Sequence, residues 1–270
     1  MLQKTYSIYS DDLNDVQLFA EAGKNHIACW CKKAGEKILK AFEFFLCDDY
    51  TAENFEEVLD NTRAHSRLLT MPVSNTNFFW NTNEALCLPK EKEDADFVNA
   101  NFELMFGRSP NTKIFFAPSE QCLIAWRIED AHQHIAQESF RGASFAHHYV
   151  PLLPSLRLMN ANAAHLLFYP HHFTLVIFKD GRLLFAQTRT YNVPEDVLYL
   201  ILNACIQYNL EKNIEIITGG FITEDSKLYD MLYQYLEGLQ LIKADETLFG
   251  SDEFKKYPSH YFLPYINYVV

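Results

Sequence analysis

Histidine, cysteine and carboxylate side chains are the groups from which this chain could build a metal or catalytic centre. Its histidines include three close pairs, His132/His134, His147/His148 and His171/His172, and imidazole is a common metal ligand. Adjacent residues on a strand point to opposite faces, so a doublet supplies one ligand to a given site. No His-Glu-x-x-His, Cys-x-x-Cys or matching carboxylate spacing accompanies the pairs, and we expect no metal site. Cys29 and Cys31 would share a strand face, but thiols in an apolar run read as core. There is neither a Gly-x-Ser-x-Gly elbow nor a Walker loop, and no residue is assigned a catalytic role.

Phosphate binding is the other chemistry to test. It needs glycines that let backbone amides approach the anion. The chain has only 9 glycines in 270 residues, so few loops qualify. One is the turn "EAGKN", with Glu21, Gly23 and Lys24. Its bland reading is a polar hairpin turn with the glycine at positive φ and Lys24 in solvent. Another is Gly219-Gly220 in "IITGGF", where the glycines could simply permit a tight strand-to-helix turn. The turn "YPHH" (Tyr169 to His172) offers a proline, which has no N–H to donate.

These residues sit in a repeated order of elements. In the second half, "HLLFY" and "FTLVIF" read as strands, and "KDGR" carries an Asp-Gly hairpin signal before the return strand "LLFAQTRTY". A helix starts near Pro194, favoured by proline in the first turn and by Glu195 and Asp196 at the positive end. It is apolar nearly all round, which predicts deep packing. "NIEIITGG" follows as a buried strand. The first half repeats this plan: strands "VQLFAE", "HIACWCK" and "KILKAFEFFL", a helix from about Thr51 with Phe55, Val58, Leu59, Thr62, Ser66 and Leu69 in phase, then strand "NTNFFWN". The hairpin glycines Gly35 and Gly181 and the leucines Leu18 and Leu166 keep nearly the same spacing between copies, as a duplication would leave them. Between the copies come the strand "ALCLP" before an acidic helix, two strands and a helix over "NTKIFFAPSEQCLIAWRIEDAHQHIAQES", and a further strand and helix. The expected domains are residues 1–157 and 158–270.

Bulk properties narrow the function. Hydrophobic residues make up 49% of the chain, enough for a sizeable core. A net charge of −12 opposes non-specific nucleic-acid binding, which depends on basic side chains. No signal peptide or membrane-spanning run is visible, so we expect a cytoplasmic protein with free thiols.

Three antiparallel strands, a crossover helix and a further strand form the RNase H-like core. Two such units in tandem, over roughly Val16 to Leu239, resemble the actin-like ATPase superfamily, distantly including PilM-type pilus-assembly proteins. The two hairpin units, "ALCLP" and "IITGG" together are closer still to an uncharacterised domain-of-unknown-function family found mainly in Bacteroidetes. The resemblance implies a mixed α/β fold of two RNase H-like units and no established activity. In the superfamily an acid and glycines in the first turn of each copy hold Mg²⁺ and phosphates, and a Gly-Gly segment contacts adenosine. Glu21, Gly23 and Lys24 match the first turn in degenerate form, Tyr169 and Pro170 replace it in the second copy, and Gly219 and Gly220 match the adenosine segment. Nuclease chemistry is disfavoured, since the strands of the first copy carry only Glu21 and Glu43, and the second copy has no carboxylate before its hairpin turn.

Two functions follow. One is a catalytically inactive scaffold or protein-interaction module with no cofactor and an unidentified protein partner, its cleft partly filled by side chains such as Tyr169. The aromatic tail "KYPSHYFLPYINYVV" is then a candidate contact, unless it is a strand packed on the sheet. The other is a nucleotide-binding switch or weak kinase, with ATP and Mg²⁺ held by Glu21, Gly23, Lys24, Gly219 and Gly220 in the interdomain cleft.

Overall fold

The computed structural model describes residues 2–73, 75–92, 94–210 and 214–266. The chain divides into two compact units. Unit 1 comprises Met1–Ser119, Leu123–Val150 and Asp245–Lys256, and unit 2 comprises Glu120–Cys122, Pro151–Ala244 and Tyr257–Val270. The passage from Val150 to Pro151 falls inside one helix, a few residues before the expected 157/158 boundary.

Unit 1 contains β1 (Leu2–Tyr9), β2 (Val16–Gly23), β3 (His26–Lys33), β4 (Leu39–Cys47), α1 (Phe55–His65), β5 (Thr76–Asn81), β6 (Ala85–Leu88), α2 (Ala95–Phe106), β7 (Thr112–Pro118), β8 (Leu123–Glu129), α3 (Asp130–Ser139) and β9 (Ser144–His147). Its main sheet runs β1-β4-β3-β2-β5-β9. β2, β3 and β4 form an antiparallel meander, while β5 and β9 join parallel to β2. Nearly every residue of β2 and β3 is buried, so their apolar side chains pack on both faces of the sheet. A second, antiparallel sheet has the order β6-β8-β7. α2 covers one face of it, with Val98 and Phe102 against Leu88, Leu123 and Ala125. The Asp94 side chain caps α2 by accepting from the Phe97 N–H at 3.0 Å, satisfying a donor the helix leaves open.

α4 (Tyr149–Met159) leads into unit 2, which contains β10 (Ala163–Phe168), β11 (His172–Lys179), β12 (Arg182–Thr190), α5 (Pro194–Gln207), β13 (Glu215–Gly220), α6 (Lys227–Tyr235), β14 (Leu239–Leu241) and the single turn α7 (Leu263–Ile266). The sheet order is β12-β11-β10-β13-β14. The β11–β12 turn has Asp180 at φ 50° and Gly181 at φ 74°, the left-handed pair that a two-residue hairpin needs. Pro194 opens α5, and Asp196 Oδ2 accepts the Asn192 N–H at 2.9 Å.

Four local expectations are corrected. β1 extends the first sheet beyond β4, although no strand was read in the N-terminal segment. α5 is not deeply packed: Val197, Ile201 and Ala204 are buried, but Tyr199 and Ile206 are 72% and 80% exposed. Gly23 is the last residue of β2, outside the positive-φ set. As far as Ile266, the last described residue, the tail is neither a strand nor an exposed patch. Ser259–Phe262 form a 3-10 turn, α7 follows, and Phe262, Leu263, Tyr265 and Ile266 are buried. Pro258 and Pro264 lack the N–H a ladder requires, and the tail's rings make edge-on contacts instead, Tyr257 with Phe262, Tyr261 with Phe221 and Tyr265 with Tyr169.

Candidate functional site

In unit 1 the phosphate-turn equivalent is the β2–β3 hairpin. Gly23 pairs with His26 across the turn. A Cβ at position 23 would overlap the His26 imidazole, so glycine is required by that ring and not by the turn's φ. The ring lies parallel to Phe44, with centroids 5.2 Å apart. Its Nε2 lies 3.1 Å from Glu21 Oε1, and Asn81 Nδ2 donates to the same oxygen at 3.1 Å. Glu21 and His26 are fully buried. Lys24 turns the other way, 2.9 Å from Asp49, with both side chains more than half exposed. Glu21 and Gly23 are thus brought together through His26, and Lys24 stays apart in solvent. His26 and Asn81 were missed by sequence reasoning, because cross-strand register and the β2–β5 pairing bring them in.

In unit 2 the equivalent turn is Tyr169–His172. It is closed by the Tyr169 N–H donating to the His172 carbonyl at 2.9 Å. The Tyr169 ring stacks on His172 at 4.5 Å and meets Tyr265 edge-on at 6.4 Å. Tyr169 is fully buried, whereas His171 is exposed. The adjacent histidines therefore differ in setting: His172 opens β11 and is buried, and His171 stands in the turn before it.

The glycine pair lies at the end of β13, parallel to β10. Gly220 has φ 83°, and a Cβ there would overlap the Phe168 carbonyl. At Gly219 a Cβ would stand 2.5 Å from Leu263 Cδ2 and 3.3 Å from the His260 carbonyl oxygen. The tail is therefore seated directly on Gly219. His260 Nε2 donates to the Ile222 carbonyl at 2.8 Å, and burial lowers the His260 pKa.

The other strand carboxylate of the first copy, Glu43, is buried on β4 as the centre of a network. It accepts hydrogen bonds from Tyr9, from Ser66, from Lys4 Nζ at 2.8 Å and from the Arg67 N–H at 2.9 Å. Burial acts against the charged forms of both Lys4 and Tyr9, yet the Lys4 pKa is raised by its bonds to Glu43 and Tyr9. Among the described residues no group of three or more His, Cys, Asp or Glu is placed to hold a metal. His147 and His165 each bond a backbone carbonyl, and burial pushes their pKa values down to about 3 and about 4. None of the six cysteines is in a disulfide.

The comparisons with known proteins agree with this architecture. A crystal structure from Bacteroides thetaiotaomicron, of a protein with actin-like ATPase fold and unknown function, superposes with a TM-score of 0.70 at 15% identity. The match covers 83% of this chain and 89% of that one. The PilM–PilN type IV pilus biogenesis complex matches with a TM-score of 0.52 at 13% identity, covering 93% of this chain and 97% of that one. A search of curated proteins found no match. The fold is that of the actin-like ATPases. Over residues 12–239 the sequence matches the family described as "Protein of unknown function (DUF3822)", and the chain belongs to that family.

Proposed function

We propose that the protein is a catalytically inactive actin-like scaffold that binds a protein partner. The observation that carries this reading is Leu263 on Gly219: an apolar side chain of the same chain occupies the place beside the glycine pair. The hairpin of unit 1 supports it, since the His26 ring fills the space over Gly23 and engages Glu21. So does the hairpin of unit 2, where Tyr169, buried, and Pro170, half-buried, stand in place of an acid and a glycine. A nucleotide would have to displace packed side chains at each position. Among the described residues no helix is long and apolar enough to cross a membrane; a cytoplasmic location is part of the proposal. The PilM neighbour was solved in a complex with PilN, and a partner-binding role on this fold is the analogy we draw.

The test is a thermal-shift series with ATP, ADP and Mg²⁺, with phosphate release measured alongside. A ligand of the native state must raise its stability by mass action. No rise in Tm and no turnover is the expected result. A concentration-dependent rise that Gly219→Arg abolishes would replace this reading by the nucleotide switch that uses Glu21, Gly23, Lys24, Gly219 and Gly220.

A further inference from the structure

A cavity of about 550 Å³ opens in unit 1 between α2 and β7, lined by Asn99 and Phe102 of α2, Thr112 and Ile114 of β7, Arg108 of the connecting loop, and Arg127 of β8. The local fold explains its mixed character. Leu123, Ala125 and Arg127 occupy alternate positions of β8, so they share the face that α2 covers. Ile114 is directly opposite Arg127 in the ladder. The apolar row beneath α2 therefore ends in a guanidinium.

Arg127 is held firmly, and part of it is left over. Its side chain is only 5% exposed. Nε donates to Glu84 Oε2 at 2.6 Å and Nη1 to the Gly107 carbonyl at 2.8 Å, while the guanidinium lies over the Phe102 and Phe106 rings. Those two are the hydrogen bonds its side chain makes among the described residues, so Nη2 can take a further acceptor. At the rim Arg108 pairs with Glu103 at 3.2 Å, with the two side chains 86% and 52% exposed. Such a pair contributes little and exchanges partners readily.

The strand that faces α2 across the cavity is β7, an edge strand among the described residues. β7 pairs with β8 on one side and is the outer strand of its sheet. Its residue Phe116 is 55% exposed. A groove between a helix and an unpaired edge strand accepts an extended peptide, whose main chain continues the ladder while alternate side chains enter the groove.

The geometry points to a peptide-docking site in which an extended, acidic segment of a partner adds to β7 and places a carboxylate on Arg127. Nη2 donates to that carboxylate, and Phe102 and Ile114 receive the neighbouring apolar side chain. A buried, preorientated guanidinium distinguishes an acidic from a basic or neutral side chain at that position. This rests on the partner-binding reading and adds to it a location and a ligand class.

The test uses the full chain and three fluorescent peptides the length of β7, seven residues, capped at both ends and alternating valine with glutamate, serine or lysine. Anisotropy titrations should give the glutamate peptide at least about tenfold tighter binding than the others, a difference of about 1.4 kcal/mol. Asn99→Trp fills the groove from the exposed side of α2 and leaves the core untouched, so it should abolish this binding. Arg127→Met should remove the preference for glutamate, and circular dichroism checks that the variant folds. The proposal is overturned if no peptide binds below about 1 mM, if the three bind alike, or if Asn99→Trp binds as the unaltered chain does. A flat nucleotide thermal shift on the same preparation would leave the scaffold reading standing in each of those cases.

Discussion

Gly23 shows how a single position can be misjudged from its neighbours. In sequence it looks like a turn glycine beside an acid. In three dimensions it is the flat surface on which His26 rests. Gly23→Ala must push that ring off Glu21 and Phe44, and overpacking of this kind costs about 1–3 kcal/mol. Urea unfolding should show the loss, and the double variant Gly23→Ala/His26→Ala should be less destabilised than the sum of the single ones, since without the ring there is no clash. The acidic residue was legible as a candidate because Glu21 is conspicuous in an apolar strand. Its partners were not, because His26 and Asn81 reach it through strand pairings that a linear reading does not supply. Glu43 makes a similar point. Glu43→Ala removes the shared acceptor of Lys4, Tyr9, Ser66 and the Arg67 amide, and breaking a buried charged network costs about 3–5 kcal/mol. A chemical-denaturation midpoint unaffected by this change would contradict the packing described.

Among the elements, the hairpins were readable because alternating apolar runs ended in residues suited to turns, such as Asp180-Gly181. β1 was missed although its exposure alternates residue by residue. Its polar half consists of lysine, glutamine, threonine and serine, which dilutes the apolar signal. Composition also misled at α5. An apolar helix does not declare which face the sheet will cover, and here Tyr199, Leu202 and Ile206 are left outside. The tail carried its own warning in Pro258 and Pro264. Its anchoring can be measured: Leu263 is 2% exposed, and Leu263→Ala should cost about 2–5 kcal/mol. Hydrogen exchange should then quicken in β13 and the Phe221–Ile222 amides before it does in β2 and β3, because the tail covers β13 of unit 2.

For the whole molecule, both units contain buried histidines whose pKa values lie below that of free histidine. A base with a depressed folded-state pKa binds fewer protons when folded. Its stabilising contribution is therefore present above the unfolded value of 6.5 and is lost as pH falls toward the folded value. For His147 and His165 that window runs from 6.5 down to about 3 and about 4. Each group contributes a slope of at most about 1.4 kcal/mol per pH unit. Stability measured by urea unfolding should accordingly decline below pH 6.5, and His165→Asn should flatten that slope by up to one proton. A stability profile flat between pH 6.5 and 4.5 would count against both burials.

The chain does not finish one unit before beginning the other. Residues Glu120–Cys122 belong with the second unit, and Asp245–Lys256 return to the first before the tail rejoins the second. In the returning segment the Gly250 N–H donates to the Leu39 carbonyl at 2.9 Å. A gene split at the α4 junction would therefore yield two products that each lack a piece of their own unit and carry a piece of the other's. Neither product should be soluble alone. Co-expressed, they should copurify through an affinity tag on either one, making the protein a natural substrate for fragment complementation.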